Sequence, residues 1–142
     1  MKSQLGFYLW AYKNVESVDY ILEKLRQSYP DSDLVISSDA GENFQDIANK
    51  YNAIKYIHGD KSHGSALSSP EGNRYGWTVN EARLWLDRIY EACKVMTNDY
   101  IMLMEEDVLV KERFRFPAKD LIAIPVKNPI GSAGLDLSLI HI

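Results

Sequence analysis

Residues 100–107 read Tyr-Ile-Met-Leu-Met-Glu-Glu-Asp, an apolar run that passes directly into three carboxylates. Five apolar residues in succession predict a buried strand. Carboxylates at the end of such a strand are costly to bury without a positive partner. Mg²⁺ and Mn²⁺ bind carboxylate oxygens and keep other coordination positions for waters and phosphates. The stretch therefore predicts either a metal–diphosphate site or a solvated acidic turn.

Strand and helix patterns alternate on both sides of this stretch. Residues 5–11 are apolar throughout, as in a parallel strand that is covered on both faces. Apolar residues at helical spacing follow from Val15 to Leu25, and Pro30 ends that segment. The remaining predicted elements are a strand at 34–36, a helix at 44–51, a strand at 53–57, a long helix, the strand at 100–104 and a strand at 121–126 whose Pro125 favours a sheet edge or a strand end. Asn98 suits the C-terminal end of the long helix. The apolar stripe of that helix consists of Val79, Ala82, Leu86, Ile89, Tyr90 and Cys93.

This alternation predicts an α/β fold with an open, mainly parallel sheet and helices on both faces. Ligands bind such sheets at the carboxyl ends of the strands, near the point where the strand order reverses. We therefore expect Tyr12 and Lys13, Asp39, and residues 105–107 to lie close together. The region from about His58 to Thr78 has no clear periodicity, and long loops of this kind in compact domains are usually functional.

Composition limits the class of protein. The chain has 142 residues, enough for one domain, and is 46% hydrophobic and 25% charged, as in ordinary globular proteins. Its net charge of −4 and the lack of a long basic run argue against a nucleic-acid partner. Its single cysteine, Cys93, excludes an internal disulfide, and no apolar run is long enough to span a membrane. We expect a cytoplasmic location, with peripheral membrane contact left open.

The last six residues, 137–142, form a short apolar tail. They resemble one reading frame of a common sequencing-library adapter, and they follow residues 131–134 without strand punctuation or a cap. We therefore expect residues 137–142 to be non-native, and residues 1–136 to be the N-terminal part of a longer domain. The alternative is a short natural apolar tail.

Four segments together resemble a known family over residues 5 to about 130. These segments are Ala-Tyr-Lys-Asn at 11–14, Ser-Ser-Asp-Ala-Gly at 37–41, Asn-Glu-Ala-Arg at 80–83 and the strand at 100–108. In their order and spacing they are similar to the N-terminal, nucleotide-sugar-binding part of GT-A-fold glycosyltransferases, of the family 2 type. The resemblance implies transfer of a sugar from a nucleoside-diphosphate sugar to an acceptor hydroxyl, assisted by Mn²⁺ or Mg²⁺.

The resemblance also implies roles for individual residues. The family's DxD-type element corresponds to Glu105 and Asp107, which would hold the metal on the donor diphosphate. Glu105 is one methylene longer than the family's aspartate, so the metal is expected either to sit differently or to be held mainly by Asp107. A catalytic base is expected beyond this part of the protein. The residues expected to bind the nucleotide sugar are Tyr12, Lys13, Asp39, Lys61, His63, Arg83 and Glu106.

Several of these assignments have a structural alternative, which for Lys61 and His63 is a solvated loop. Asp39 with Glu42 three residues later would make a helix capping box instead of a contact to the nucleotide base. Arg83 would form an ordinary surface ion pair with Asp87, four residues on. The alternative function is a non-catalytic nucleotide-sugar-binding module or a degenerate transferase domain. A nucleotidyltransferase would need a glycine-rich basic loop after the first strand, where the chain reads Tyr-Lys-Asn-Val at 12–15.

Overall fold

The computed structural model describes residues 3–59, 79–113, 121–127 and 133–141. Strands and helices alternate along most of this length, as the sequence predicts. The elements are β1 (Leu5–Ala11), α1 (Val15–Ser28), β2 (Leu34–Asp39), α2 (Gln45–Lys50), β3 (Lys55–Gly59), α3 (Val79–Cys93), β4 (Tyr100–Glu105), β5 (Leu121–Lys127) and β6 (Ala133–His141).

The described strands form a six-stranded sheet in the order β3-β2-β1-β4-β6-β5. The first four strands are parallel, whereas β6 is antiparallel to β4, and β5 is antiparallel to β6. The prediction of an α/β fold with an open, mainly parallel sheet is confirmed. Strand β5 lies at the edge of the sheet, as Pro125 predicts, because proline cannot donate a ladder hydrogen bond.

Strand β6 was not predicted from the sequence, and it includes most of the apolar tail. Residues 139–141 of β6 pair with residues 100–102 of β4. The tail is therefore part of the sheet. This pairing does not test whether residues 137–142 are native sequence. The non-native origin of residues 137–142 stays a prediction.

Helices α1 and α2 pack against one face of the sheet. Helix α1 begins after Asn14, which adopts a left-handed conformation with φ 65° and accepts a hydrogen bond from the Ser17 N–H through Oδ1 at 3.3 Å. Its buried residues recur three and four positions apart and make one apolar stripe. The cluster on this face includes Val18, Ile21, Leu22 and Leu25 of α1, Phe7, Leu9, Ile36 and Met104 of the sheet, and Phe44, Ile47 and Ala48 in and beside α2.

Helix α3 covers the opposite face, as the prediction of helices on both faces requires. Its buried residues Ile89 and Ala92 cluster with Tyr8, Val35, Ile101 and Leu103 of the sheet. The predicted apolar stripe is wrong at two positions, because Leu86 is 56% exposed and Tyr90 is 62% exposed. These two residues each follow a core-facing position by one residue, which turns a side chain about 100° around a helix.

The amino ends of the strands are held by polar contacts to the backbone. Arg26 donates from Nε to the Tyr51 carbonyl at 2.9 Å and from Nη1 to the Ser32 carbonyl at 2.7 Å, joining the ends of α1 and α2. Asn98 was predicted to end the long helix, but α3 ends at Cys93. Asn98 is buried instead and donates from Nδ2 to the Ser3 carbonyl at 2.6 Å. The polar side chains at the amino ends of the strands thus hold the backbone in place.

Within the described ranges, no helix combines the length and the apolar character that crossing a bilayer requires.

Candidate functional site

The strand order reverses between β1 and β4. From β1 the chain continues to β2 and then β3 on one side, and it returns to β4 on the other side of β1. Such a switch point leaves a crevice at the carboxyl ends of the strands, where ligands bind in open α/β sheets. The register pairs Trp10 with Glu105 and Ala11 with Ser38, so the segments after β1, β2 and β4 begin at the same edge.

Glu106 connects the end of β4 to the loop after β1. Its carboxylate oxygen Oε2 accepts hydrogen bonds from the backbone N–H groups of Tyr12, at 2.8 Å, and Lys13, at 2.9 Å. The Ser17 hydroxyl donates to the Glu106 carbonyl oxygen at 3.3 Å. The predicted neighbourhood of Tyr12, Lys13 and the acidic turn is therefore present, and it is held by direct hydrogen bonds.

The loop after β2 contacts Tyr12 from the other side. The Glu42 N–H donates to the Tyr12 carbonyl oxygen at 2.8 Å. Gly41 lies so close to Tyr12 that an added Cβ would overlap the Tyr12 carbonyl, which only a glycine permits. Ala40 has φ 60°, and the Ser38 hydroxyl donates to the Glu42 carbonyl at 2.7 Å, so this turn is tightly folded. Loops from three neighbouring strands thus meet at Tyr12.

The capping box that the sequence offered as an alternative role for Asp39 and Glu42 is not formed. Helix α2 begins at Gln45, and Phe44 at its N-cap makes no side-chain capping hydrogen bond. The backbone N–H of Glu42, which a capping box would use, donates to Tyr12 instead. The turn after β2 consequently separates Asp39 from the start of the helix.

Asp39 forms a buried ion pair with Arg88 of α3. The distance from Arg88 Nη1 to Asp39 Oδ1 is 2.6 Å, and the two side chains are 11% and 8% exposed. Sequence reasoning missed Arg88, although a signal exists: it lies between Trp85 and Ile89 on the apolar stripe of α3. A charged residue at a core-facing position of a helix requires a partner, and here the partner is at the carboxyl end of β2.

Gly59 makes room for the Arg88 guanidinium. A Cβ added to Gly59 would lie 2.5 Å from Arg88 Cζ and 2.7 Å from the Ser38 carbonyl oxygen. We expect Gly59→Ala to lower the free energy of unfolding by about 1–3 kcal/mol, the usual cost of overpacking. Urea unfolding followed by tryptophan fluorescence would measure the loss. An unchanged free energy of unfolding would show that the guanidinium does not lie against β3.

Tyr8 lies beneath this ion pair on the α3 face of the sheet. Burial raises the pKa of Tyr8 to about 12, and the nearby Asp39 carboxylate acts in the same direction as burial. The hydroxyl is therefore protonated at neutral pH and adds no negative charge beneath the pair. The negative charge shown against Arg88 is that of the Asp39 carboxylate.

The two predicted metal ligands, Glu105 and Asp107, are both exposed at the end of β4. In the part of the chain that the structure describes, no group of three or more His, Cys, Asp or Glu residues is arranged to hold a metal. Mg²⁺ usually binds proteins through one or two carboxylates, and substrate phosphates and waters fill the other positions. Two exposed carboxylates at this turn fit a metal that arrives with a diphosphate.

The predicted cationic residues have different outcomes. Lys13 is exposed, and its Nζ lies 4.8 Å from the centre of the Tyr12 ring, which is 43% exposed. Arg83 is 79% exposed, with Nε 3.9 Å from Asp87 Oδ2, so the alternative surface ion pair is confirmed. Lys61 and His63 lie outside the described residues.

No protein-family model matches this chain, and no curated protein is significantly similar to it.

Proposed function

We propose that this chain is the nucleotide-sugar-binding part of a GT-A-fold glycosyltransferase, which transfers a sugar from a nucleoside-diphosphate sugar to an acceptor hydroxyl. One observation carries the proposal. The acidic turn of β4 is joined directly to the Tyr12–Lys13 loop at the switch point of a parallel sheet. That is where α/β proteins bind nucleotides, and the turn supplies the carboxylates that a diphosphate-bound metal needs.

Glu105 and Asp107 would hold Mn²⁺ or Mg²⁺ on the donor diphosphate. When bound, the metal supplies a Lewis acid that stabilises negative charge on the departing nucleotide. Lys13, whose backbone N–H is bound by Glu106, would add positive charge beside the acidic turn, where the phosphates would lie. Lys61 and His63, outside the described residues, have the same proposed role.

Asp39 would face the nucleotide base. An ionised carboxylate can only accept hydrogen bonds, and we propose that it accepts from the ring N–H of a base such as uracil or guanine. Its ion pair with Arg88 compensates the cost of burying the carboxylate. Tyr12 and Glu106 complete the crevice from the β1 and β4 sides.

The acceptor hydroxyl must lose its proton as it attacks the anomeric carbon, and a carboxylate base commonly takes that proton. We assign this role to none of the residues that the structure describes, so donor binding is the part of the proposal that this chain tests. The second candidate is a non-catalytic nucleotide-sugar-binding module, which Glu105 in place of an aspartate favours. Sugar transfer by the protein would exclude this second candidate.

Calorimetric titration of the chain with nucleoside diphosphates tests the binding part of the proposal. We expect UDP or GDP to bind more tightly than CDP and ADP, because cytosine and adenine lack the ring N–H that Asp39 would accept. Replacing Mn²⁺ by EDTA should weaken binding at least about tenfold, or ~1.4 kcal/mol. Binding of none of the four nucleotides, with or without Mn²⁺, would contradict the proposed function.

A further inference from the structure

Glu106 differs from the two acidic residues beside it. Glu105 and Asp107 are exposed, whereas Glu106 is half-buried and its Oε2 accepts two backbone hydrogen bonds. Glu106 and Asp107 lie in a turn after β4, in which the Val108 N–H donates to the Glu105 carbonyl at 3.1 Å. In this turn the Glu106 carboxylate is engaged by the loop after β1, whereas its two neighbours are exposed. Hydrogen bonds from backbone N–H groups to an ionised carboxylate are stronger than neutral ones.

The loop that Glu106 holds turns directly before α1. Asn14, which follows Lys13, has φ 65°, a left-handed conformation that asparagine adopts more readily than most non-glycine residues. The backbone of Tyr12 is held at both of its polar groups: its N–H donates to Glu106, and its carbonyl accepts from the Glu42 N–H. Glu106 provides the β4 half of this double attachment.

We infer that Glu106 is a positioning residue of the donor crevice. It fixes the Tyr12–Lys13 backbone before the donor arrives, and it contacts neither the metal nor the nucleotide. A loop that is already ordered binds its ligand without losing conformational entropy at that step. This inference rests on the proposed function, because it names how one residue of the same site acts.

Metal dependence separates this role from direct ligation. A metal ligand affects binding only when the metal is present, so its loss lowers the ratio of affinity in Mn²⁺ to affinity in EDTA. A positioning residue acts on the protein loop, so its loss weakens binding in both solutions and leaves that ratio unchanged. A residue important only for folding changes neither affinity while the chain stays folded.

The experiment is calorimetric titration of the 142-residue chain with UDP and with GDP, in Mn²⁺ and in EDTA. The variants are Glu106→Ala and Glu106→Gln, and Glu112→Ala, an exposed glutamate away from the crevice, is the control. We expect Glu106→Ala to raise the Kd about tenfold in both solutions with an unchanged ratio. Glu106→Gln keeps an acceptor oxygen without its charge, so we expect a loss of about threefold, again with an unchanged ratio. Glu112→Ala should bind as the unaltered chain does.

Amide hydrogen exchange of Tyr12 and Lys13 gives a second readout. We expect both N–H groups to exchange more slowly in the unaltered chain than in Glu106→Gln, even without nucleotide. This comparison also applies if Glu106→Ala does not fold.

A loss of affinity confined to Mn²⁺ would overturn the inference by making Glu106 a metal ligand. Unchanged affinity with unchanged exchange would overturn it as well. If the unaltered chain binds neither UDP nor GDP, the proposed function fails, and the inference fails with it.

Discussion

Replacing Arg88 by methionine is expected to lower the free energy of unfolding by about 3–5 kcal/mol, because the buried Asp39 carboxylate loses its guanidinium partner. The pair is close, at 2.6 Å, and Asp39 as a whole is 6% exposed. Removing one member of a buried pair leaves the desolvation cost of the other without the compensating attraction. Urea unfolding followed by tryptophan fluorescence would measure the loss.

Arg83→Met is the matched control, since it makes the same change on the same helix. Arg83 is 79% exposed and lies 3.9 Å from Asp87, so its loss should change the free energy of unfolding by less than about 0.5 kcal/mol. The double variant Asp39→Asn/Arg88→Met should be less destabilised than the sum of the two single variants, because it removes both charges. Equal effects of Arg88→Met and Arg83→Met would show that the buried pair has no special importance.

The second large effect is expected at the acidic turn. Asp107→Asn should weaken Mn²⁺-dependent binding of UDP or GDP at least about tenfold, because an amide is a much poorer ligand for a hard cation than a carboxylate. Glu106→Gln should weaken it less, since the Glu106 carboxylate is engaged by the Tyr12 and Lys13 amides. Calorimetry in Mn²⁺ compares the two variants directly. Equal losses in the two variants, or no loss in either, would refute the assignment of Asp107 as a metal ligand.

The sequence predicted most of the fold because its periodicity is strong. Apolar runs at 5–11 and 100–104 gave β1 and β4, and helical spacing gave α1 over nearly its whole length. The crevice rule for open sheets then placed Tyr12 beside the acidic turn without any knowledge of contacts. These predictions depend on chain-local patterns, which a single sequence contains.

Partner choice between distant residues could not be predicted in the same way. Asp39 precedes Glu42 by three residues, as in a capping box, yet Arg88 binds Asp39, and Tyr12 takes the Glu42 N–H. Both partners come from elements far away in sequence, so local spacing contains no information about them. The exposure of Leu86 was missed for a related reason: the stripe of α3 shows apolar residues but not which of them the sheet covers.

The most direct test of the account is the position of manganese in crystals of the chain. The crystals are grown with Mn²⁺ and with whichever of UDP and GDP binds more tightly. Anomalous diffraction locates the metal independently of the protein coordinates. The account predicts a manganese peak within coordination distance of carboxylate oxygens of Asp107 or Glu105 and next to the nucleotide's phosphates. A nucleotide bound away from the carboxyl ends of β1 and β4, or manganese held by other residues, would contradict it.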